Sequence, residues 1–440
     1  MHKLRILWYL MAGLVRGPLR TRDELDAWQR KRLRLFARRV LKRSPFYRRY
    51  VIDGEVDWST IPVMTKADYV EHFSEINTCA IDRDHAMALA LEAERSRDFS
   101  ATIRDITVGL STGTSGKRSL FLVSPSERAR WAARIVRRLL LRRLPRITRI
   151  AFFLRANSGL YESVGSVLFR FTFFDLTLPF DGLGKRVEAL APHVLAAPPS
   201  ILVRLARARE QGALQLQPTI VVSFAEVLHD DDRRFIARVF GVEPVNVYQC
   251  TEGFIGMTCE HGTMHLQEDI MHVELEPVDA THVRPIITDF TRTSVPIVRY
   301  RMTDVLAMRT TACPCGSPLR AVERIVGRDD DVLLFYDEGG RVVPVYPDVL
   351  SRRIAVATDT FRAYRIRQDT SNTVRLQLDC DASVYDETFA TIERAIAAVC
   401  ADQGIRGISI VEEPYAEIPS AVKTRRIQRT FNAMVEDRKL

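Results

Sequence analysis

An α/β fold in two parts is predicted: a large N-terminal domain with parallel or mixed sheets and covering helices, then a small, mobile α+β C-terminal domain. Three observations predict it. The 440 residues exceed what one simple core organises. From about residue 101 to 325, short apolar strands alternate with helical stretches, the pattern of a largely parallel sheet covered by helices. After Gly327-Arg328-Asp329-Asp330-Asp331 the texture changes behind an acidic joint, which sets the domains at 1–328 and 329–440.

Residues 1 to about 100 read as a mostly helical lead-in. The apolar run Ile6 to Val15 is closed by Arg16, far short of the roughly 20 residues a membrane span needs. Gly17-Pro18-Leu19-Arg20 makes a poor cleavage site, so an amphipathic first helix is expected rather than a signal or anchor. Leu25, Trp28, Leu33, Phe36 and Val40 mark one face of a helix that stops before Ser44-Pro45. Ile150–Leu154, Thr219–Ser223 and Val245–Tyr248 read as strands, with the helix Asp230–Phe240 between the last two. In the small domain Val374, Leu376 and Leu378 alternate as in a half-buried strand. Phe389, Ile392, Ile396 and Val399 then follow helical spacing, and Ile408–Val411 supplies a further strand.

The formal net charge of +9 comes mostly from arginine, densest from Arg128 to Arg149. Trp131, Ile135 and Leu139 recur every four residues there, which predicts an amphipathic helix with an arginine face. A solvated surface, or a field that draws anionic substrates, is the expected role, and no nucleic-acid partner is expected. Seven cysteines do not form a secreted disulfide framework, so a reducing, cytoplasmic compartment is expected. Cys79, Cys250, Cys380 and Cys400 read as structural thiols. Cys259, Cys313 and Cys315, with His265 or His261, have the composition of a closed, tetrahedral, structural zinc site.

The segment Val108 to Arg118 carries the most chemistry: Gly109, Ser111, Thr112, Gly113, Thr114, Ser115, Gly116 and Lys117. Small residues let backbone N–H groups approach phosphate oxygens, hydroxyls add donors, and a lysine neutralises charge. The pattern G-x-x-x-x-G-K-[ST] fails twice, with Ser111 where glycine is required and Arg118 after the lysine. A strand before it and the strand-like Ser119–Ser124 after it predict a hairpin rather than a strand-to-helix turn.

Ser111 to Lys117 resembles the signature loop of the adenylate-forming superfamily, and further segments agree in order. Ser223-Phe224-Ala225-Glu226 resembles the strand end near adenine, and Tyr248-Gln249-Cys250-Thr251-Glu252-Gly253 the aromatic-x-x-Thr-Glu motif. Val295 to Asp304 resembles the Pro-Leu-Ile-Arg-Tyr-Arg-Thr-Gly-Asp segment of phenylacetate–CoA ligases, and Ile325 to Asp330 their hinge. The resemblance, with the coenzyme F390 synthetase-related subgroup beside it, covers about residue 30 to the end.

The resemblance implies activation of a carboxylic acid with ATP as an acyl-adenylate, followed by transfer to CoA. It implies that Ser111 to Lys117 hold the β- and γ-phosphates, Thr251 the α-phosphate and Glu252 a Mg²⁺ ion. Ala225, Glu226 and Tyr248 would lie at adenine, with Asp304 and Arg328 at the ribose. Lys423, before Arg425-Arg426, would bridge the substrate carboxylate and the α-phosphate, and His265 would complete the zinc set. A homodimer also fits the relatives. Phe152, Phe153 and Phe254, within the region of about 150 to 260 where such pockets lie, suggest an aromatic or fatty acid.

One departure is clear: after the hinge, Asp337 to Pro347 matches the family only at Val345-Tyr346-Pro347. A second reading therefore keeps adenylation and gives the acyl or adenylyl group to an amine, a hydroxyl or a carrier-protein thiol. A third, a zinc-containing basic nucleic-acid-binding protein, leaves the phosphate loop, Glu252, Asp304 and Lys423 unexplained.

Overall fold

The computed structural model describes residues 2–17, 19–100, 102–111, 118–140, 147–155, 169–329, 331–419 and 423–431. The N-terminal part begins with helices α1 (His2–Arg16), α2 (Arg22–Arg39) and, after short helical turns, α3 (Arg83–Ser96). The strands β1 (Ile106–Leu110) and β2 (Leu120–Val123) pair antiparallel, as the hairpin reading of the glycine-rich segment expects. Helix α4 (Pro125–Ile135) follows, capped reciprocally by Ser124 and Glu127.

The central sheet has twelve strands. Its parallel half is β3 (Thr148–Leu154), β4 (Phe169–Asp175), β5 (Val194–Ala197), β6 (Ile220–Phe224) and, after helix α5 (Asp230–Phe240), β7 (Val245–Gln249). β5 is buried along its whole length, as a parallel strand covered on both faces must be. The antiparallel half is β8 (Phe254–Thr258), β9 (Met264–Leu266), β10 (Met271–Pro277), β11 (His282–Asp289), β12 (Ile297–Arg301), β13 (Asp304–Met308) and β14 (Ala321–Arg328). The strand order β10-β11-β13-β14-β9-β8-β7-β6-β5-β3-β4, with β12 paired to β11, makes β7 the point where direction reverses.

α5 is the element the sequence describes best. Asp230, Asp231 and Asp232 complement the positive helix end, and Gly241 at φ +74° closes it in the left-handed conformation.

The arginine run does not form a solvated face. α4 buries Ala129, Ala132, Ala133 and Val136, while Trp131 and Ile135 are only half-buried. Arg134 donates to both oxygens of Asp269 at 3.0 Å, and Arg138 donates to the same carboxylate at 3.3 Å. The Asp269 side chain is 5% exposed, so its charge is held inside the protein and needs the guanidinium groups around it. The side chain of Leu139 and residues 141–146 lie outside the described residues.

The C-terminal part has its own apolar core, including Leu333, Leu350, Ile366, Leu376, Ile392 and Ile396. A sheet of β15 (Phe361–Thr370), β16 (Thr373–Cys380), β17 (Ser409–Pro414) and β18 (Ile427–Arg429), in the order β17-β16-β15-β18, packs on helix α6 (Tyr385–Asp402). β16 alternates between half-buried and buried residues throughout. Arg426, just before β18, crosses to α5 and donates to Asp231 at 2.8 and 2.9 Å and to Asp232 at 2.8 Å. Arg284 reaches Asp329 at 2.7 Å, and the Tyr346 hydroxyl donates to Asp279 at 2.6 Å.

Candidate active site

The β1–β2 hairpin is closed from both sides. Ser111 N–H donates to the Ser119 carbonyl at 2.8 Å, and Ser119 N–H donates to the Ser111 hydroxyl at 2.8 Å. Arg118 donates to the Ser111 carbonyl at 3.0 Å and pairs with Glu94 of α3 at 2.7 Å. Thr112, Gly113, Thr114, Ser115, Gly116 and Lys117 lie outside the described residues. Gly109 matters for space rather than torsion: a Cβ there would stand 2.2 Å from Cζ of Phe121, whose ring lies across it.

At the end of β6 the backbone of Ala225 takes φ +70°, a conformation that costs a non-glycine residue on the order of 1 kcal/mol and is common at ligand sites. It precedes Glu226, which accepts from Arg155 at 2.9 Å and from the Thr424 N–H at 3.3 Å. Arg155 was absent from the sequence reading. The signal for it was a lone cation ending an apolar strand at the carboxyl edge of a parallel sheet, where ligand crevices form.

The turn from β7 to β8 carries Cys250, Thr251, Glu252 and Gly253. Tyr248 donates its hydroxyl to Asp304 Oδ2 at 2.8 Å, and Arg328 Nε stands 3.7 Å from Oδ1 of the same carboxylate. Tyr300 donates to Glu252 Oε1 at 3.0 Å. Burial pushes the Cys250 thiol well up, and the Glu252 and Asp304 carboxylates beside it push the same way. Cys250 therefore stays a neutral packing group. Lys423 completes this cluster. Burial and the Arg328 and Arg155 guanidinium groups pull its ammonium down to about 8, against the opposing pull of Glu226 and Asp304.

Cys250, Glu252, Tyr300, Asp304, Arg328 and Lys423 line one cavity of about 450 Å³, together with Ser111, Ala225 and Thr251. Its apolar wall is formed by Ala90, Ala93, Phe99, Phe121, Trp131 and Phe254. Most of that wall precedes residue 150, so the pocket draws on an earlier part of the chain than the 150–260 region named above. Phe254 faces the cavity, Phe152 backs it by stacking on Phe224 at 5.0 Å, and Phe153 is core, stacked on Phe174 at 4.6 Å. A larger cavity of about 840 Å³ opens between the two parts of the chain and shares Asp304, Arg328 and Lys423 with the first. Arg155, Arg207, Arg324 and Arg365 are among its lining residues.

Cys259, His265, Cys313 and Cys315 converge elsewhere, with ligand atoms all within 4.8 Å of one another. Cys259 Sγ is 3.7 Å from Cys313 Sγ, and Cys315 Sγ is 3.3 Å from His265 Nε2. His265 Nδ1 lies 2.9 Å from the Leu319 carbonyl, which fixes the proton on Nδ1 and leaves the Nε2 lone pair facing the thiols. Of the two candidate imidazoles, His265 is the one the structure brings to the cysteines.

The two-part fold is shared with solved CoA ligases, and the chain is similar in sequence to curated phenylacetate–coenzyme A ligases. No family model matches the chain. The chain is 24% identical over 407 residues to a phenylacetate–coenzyme A ligase of Thermus thermophilus, covering 83% of this chain and 84% of that one. Among solved structures, 2-hydroxyisobutyryl-CoA ligase in the postadenylation state with 2-HIB-AMP aligns with a TM-score of 0.68 at 18% identity, over 95% of this chain and 91% of that one. The same ligase in its thioesterification state, with 2-HIB-AMP and CoA, aligns at 0.52 and 17% identity, over 92% and 90% of the two chains. The relative placement of the two parts here is therefore closer to the postadenylation arrangement.

Proposed function

We propose that this chain activates a carboxylic acid with ATP, forming acyl-adenylate and pyrophosphate, and then transfers the acyl group to CoA. The observation that carries the reading is the convergence of Glu252, Asp304, Arg328 and Lys423, from four separate stretches of sequence, on the wall of one cavity with an apolar end. An acid bound with its tail among Phe99, Phe121 and Trp131 would present its carboxylate towards Lys423. The carboxylate oxygen attacks the α-phosphorus, the bond to the β-phosphate oxygen breaks, and pyrophosphate leaves. Lys423 offsets the charge that gathers between carboxylate and phosphate in the transition state. Asp304, held by Tyr248 and Arg328, offers an acceptor to ribose hydroxyls. Glu252 fits magnesium, which binds through one carboxylate and substrate phosphates and would neutralise phosphate charge there. The larger cavity, lined by arginines and carboxylates alike, opens on Lys423's side of the site and leaves room for an acceptor such as CoA.

The Cys259, His265, Cys313 and Cys315 set fits structural zinc. In a tetrahedron with Zn–S bonds of about 2.3 Å the sulfurs stand roughly 3.8 Å apart, close to the 3.7 Å found here. All seven cysteines are free thiols, which supports a reducing, cytoplasmic setting. A homodimer belongs to the same reading and is checked by solution mass.

The test is ATP–pyrophosphate exchange with purified protein and Mg²⁺ against a panel of aryl, arylacetic and fatty acids. Exchange stimulated by one acid class is expected, and CoA then yields the thioester. Exchange without CoA consumption would transfer the assignment to an amine, hydroxyl or carrier-protein acceptor; absence of both exchange and ATP binding would sink it. The wall contact at Phe121 gives a second expectation. Gly109→Ala must drive the ring aside by more than its neighbours can absorb, so the KM for the acid should rise roughly tenfold with the KM for ATP little changed.

A further inference from the structure

Helix α1 has two faces. Its inner face is docked: Ile6 and Leu10 pack against the main core, and the Arg130 guanidinium of α4 lies 5.2 Å from the Tyr9 ring centre. Arg137 donates to the Gly13 carbonyl at 2.9 Å. The outer face carries Leu4, Leu7, Trp8, Met11 and Val15, exposed by 70, 54, 64, 51 and 84%. Spacings of three and four residues bring them into one stripe about 100° wide. Five of the thirteen exposed large apolar residues among those described thus sit on a single 15-residue helix, while the other eight are scattered. Scattered apolar residues need no explanation, but a contiguous stripe marks a surface that something covers.

Charge identifies the cover. Lys3, Arg5, Arg16 and Arg20 precede the first acidic residue, Asp23, and Arg5 and Arg20 are exposed, while Arg22 is paired with Asp26 and Glu268. A second copy of the chain, packed by a two-fold axis, would set these cationic flanks against each other. Anionic lipid headgroups would neutralise them while the acyl boundary took up the stripe, with Trp8 at the interface. At about 22 Å the helix is too short to span a bilayer, and its inner face is occupied by protein. We infer that α1 is an interfacial helix that seats this protein on a membrane surface rich in anionic lipid.

Flotation of the full chain with vesicles decides the matter. Binding is expected to vesicles of phosphatidylcholine plus phosphatidylglycerol, weakly or not at all to phosphatidylcholine alone, and to weaken with added salt. Leu7→Glu with Trp8→Glu should lower partitioning at least about tenfold, and Arg5→Glu should lower it on the anionic vesicles. Val15→Glu, at a position that cannot disturb the core, is the second variant. Thermal stability and pyrophosphate exchange should be unchanged in all of them. No flotation with anionic vesicles, or flotation that survives the glutamates, would overturn the inference. So would a wild-type dimer that Leu7→Glu with Trp8→Glu converts to monomer, because a second copy would then be the cover.

Discussion

Lys423→Ala is expected to lower acid-dependent pyrophosphate exchange by roughly 10²–10³-fold, the range over which single charge-stabilising groups act in a water-excluded site. Lys423 is half-buried at the junction of the two cavities, between Asp304, Glu226, Arg328 and Arg155. Its ammonium titrates at about 8, below the usual lysine range, because burial and two guanidinium groups disfavour the cation. The sign follows directly. The group is charged below pH 8 and neutral above it, so kcat/KM for exchange, which reports the free enzyme, should fall as pH rises through about 8. Lys423→Arg keeps a cation at all these pH values and should be slower at pH 7 because its shape differs, but flat from pH 7 to 9. An alkaline limb that persists in Lys423→Arg would assign the titration to another group. Transfer from preformed acyl-adenylate to CoA, measured alone, should lose less in Lys423→Ala: the reacting centre is then the acyl carbon, with AMP as the leaving group, and no carboxylate has to be brought against a phosphate.

Loss of the zinc proposed for the cysteine cluster is expected to give the second large effect. Cys259 ends the β8–β9 hairpin, His265 lies within β9, and Cys313 and Cys315 belong to the loop leading into β14, so one ion would tie three segments of the central sheet. The purified chain should carry one zinc. Cys313→Ser, or prolonged chelation, should release it and lower the apparent Tm by about 5 °C or more. A stoichiometry near zero in protein purified without chelator, with unchanged melting in the variant, would reduce the cluster to neighbouring thiols. The same variant should retain the KM for ATP in molecules that remain folded, because Glu252 and Asp304 are held by Tyr300 and Tyr248 rather than by the cluster.

What could be read in the sequence depended on whether a residue's role was local. α5 was legible to the residue because its acidic first turn and closing glycine are local signals, and β16 because alternation needs no partner. The hairpin around the glycine-rich segment followed from flanking strands, and the site residues from motifs that keep their order. Arg155 was invisible because its meaning comes from Glu226, 71 positions away. The arginines of α4 were misread for the same reason. Periodicity shows that cations share a face, but it cannot show that Asp269 waits opposite them. The contribution of α3, β2 and α4 to the cavity wall, beside Leu154, Phe224 and Phe254, is announced by no spacing in the chain.

Glu226 has a consequence beyond its own hydrogen bonds. Glu226, which the proposed reading sets beside adenine, also receives Thr424 N–H from the C-terminal part, and the adjoining Arg426 is sunk between Asp231 and Asp232. Nucleotide occupancy and the seating of the C-terminal part are then two readings of one equilibrium. By thermodynamic reciprocity, whatever factor ATP contributes to holding that part in place, the seated part returns to the affinity for ATP. Swinging Lys423 away for a second half-reaction would require rehydrating a guanidinium and two carboxylates, a barrier that added salt should lower. The speed of the whole cycle would then be governed at a helix end that touches neither the acid nor the phosphates.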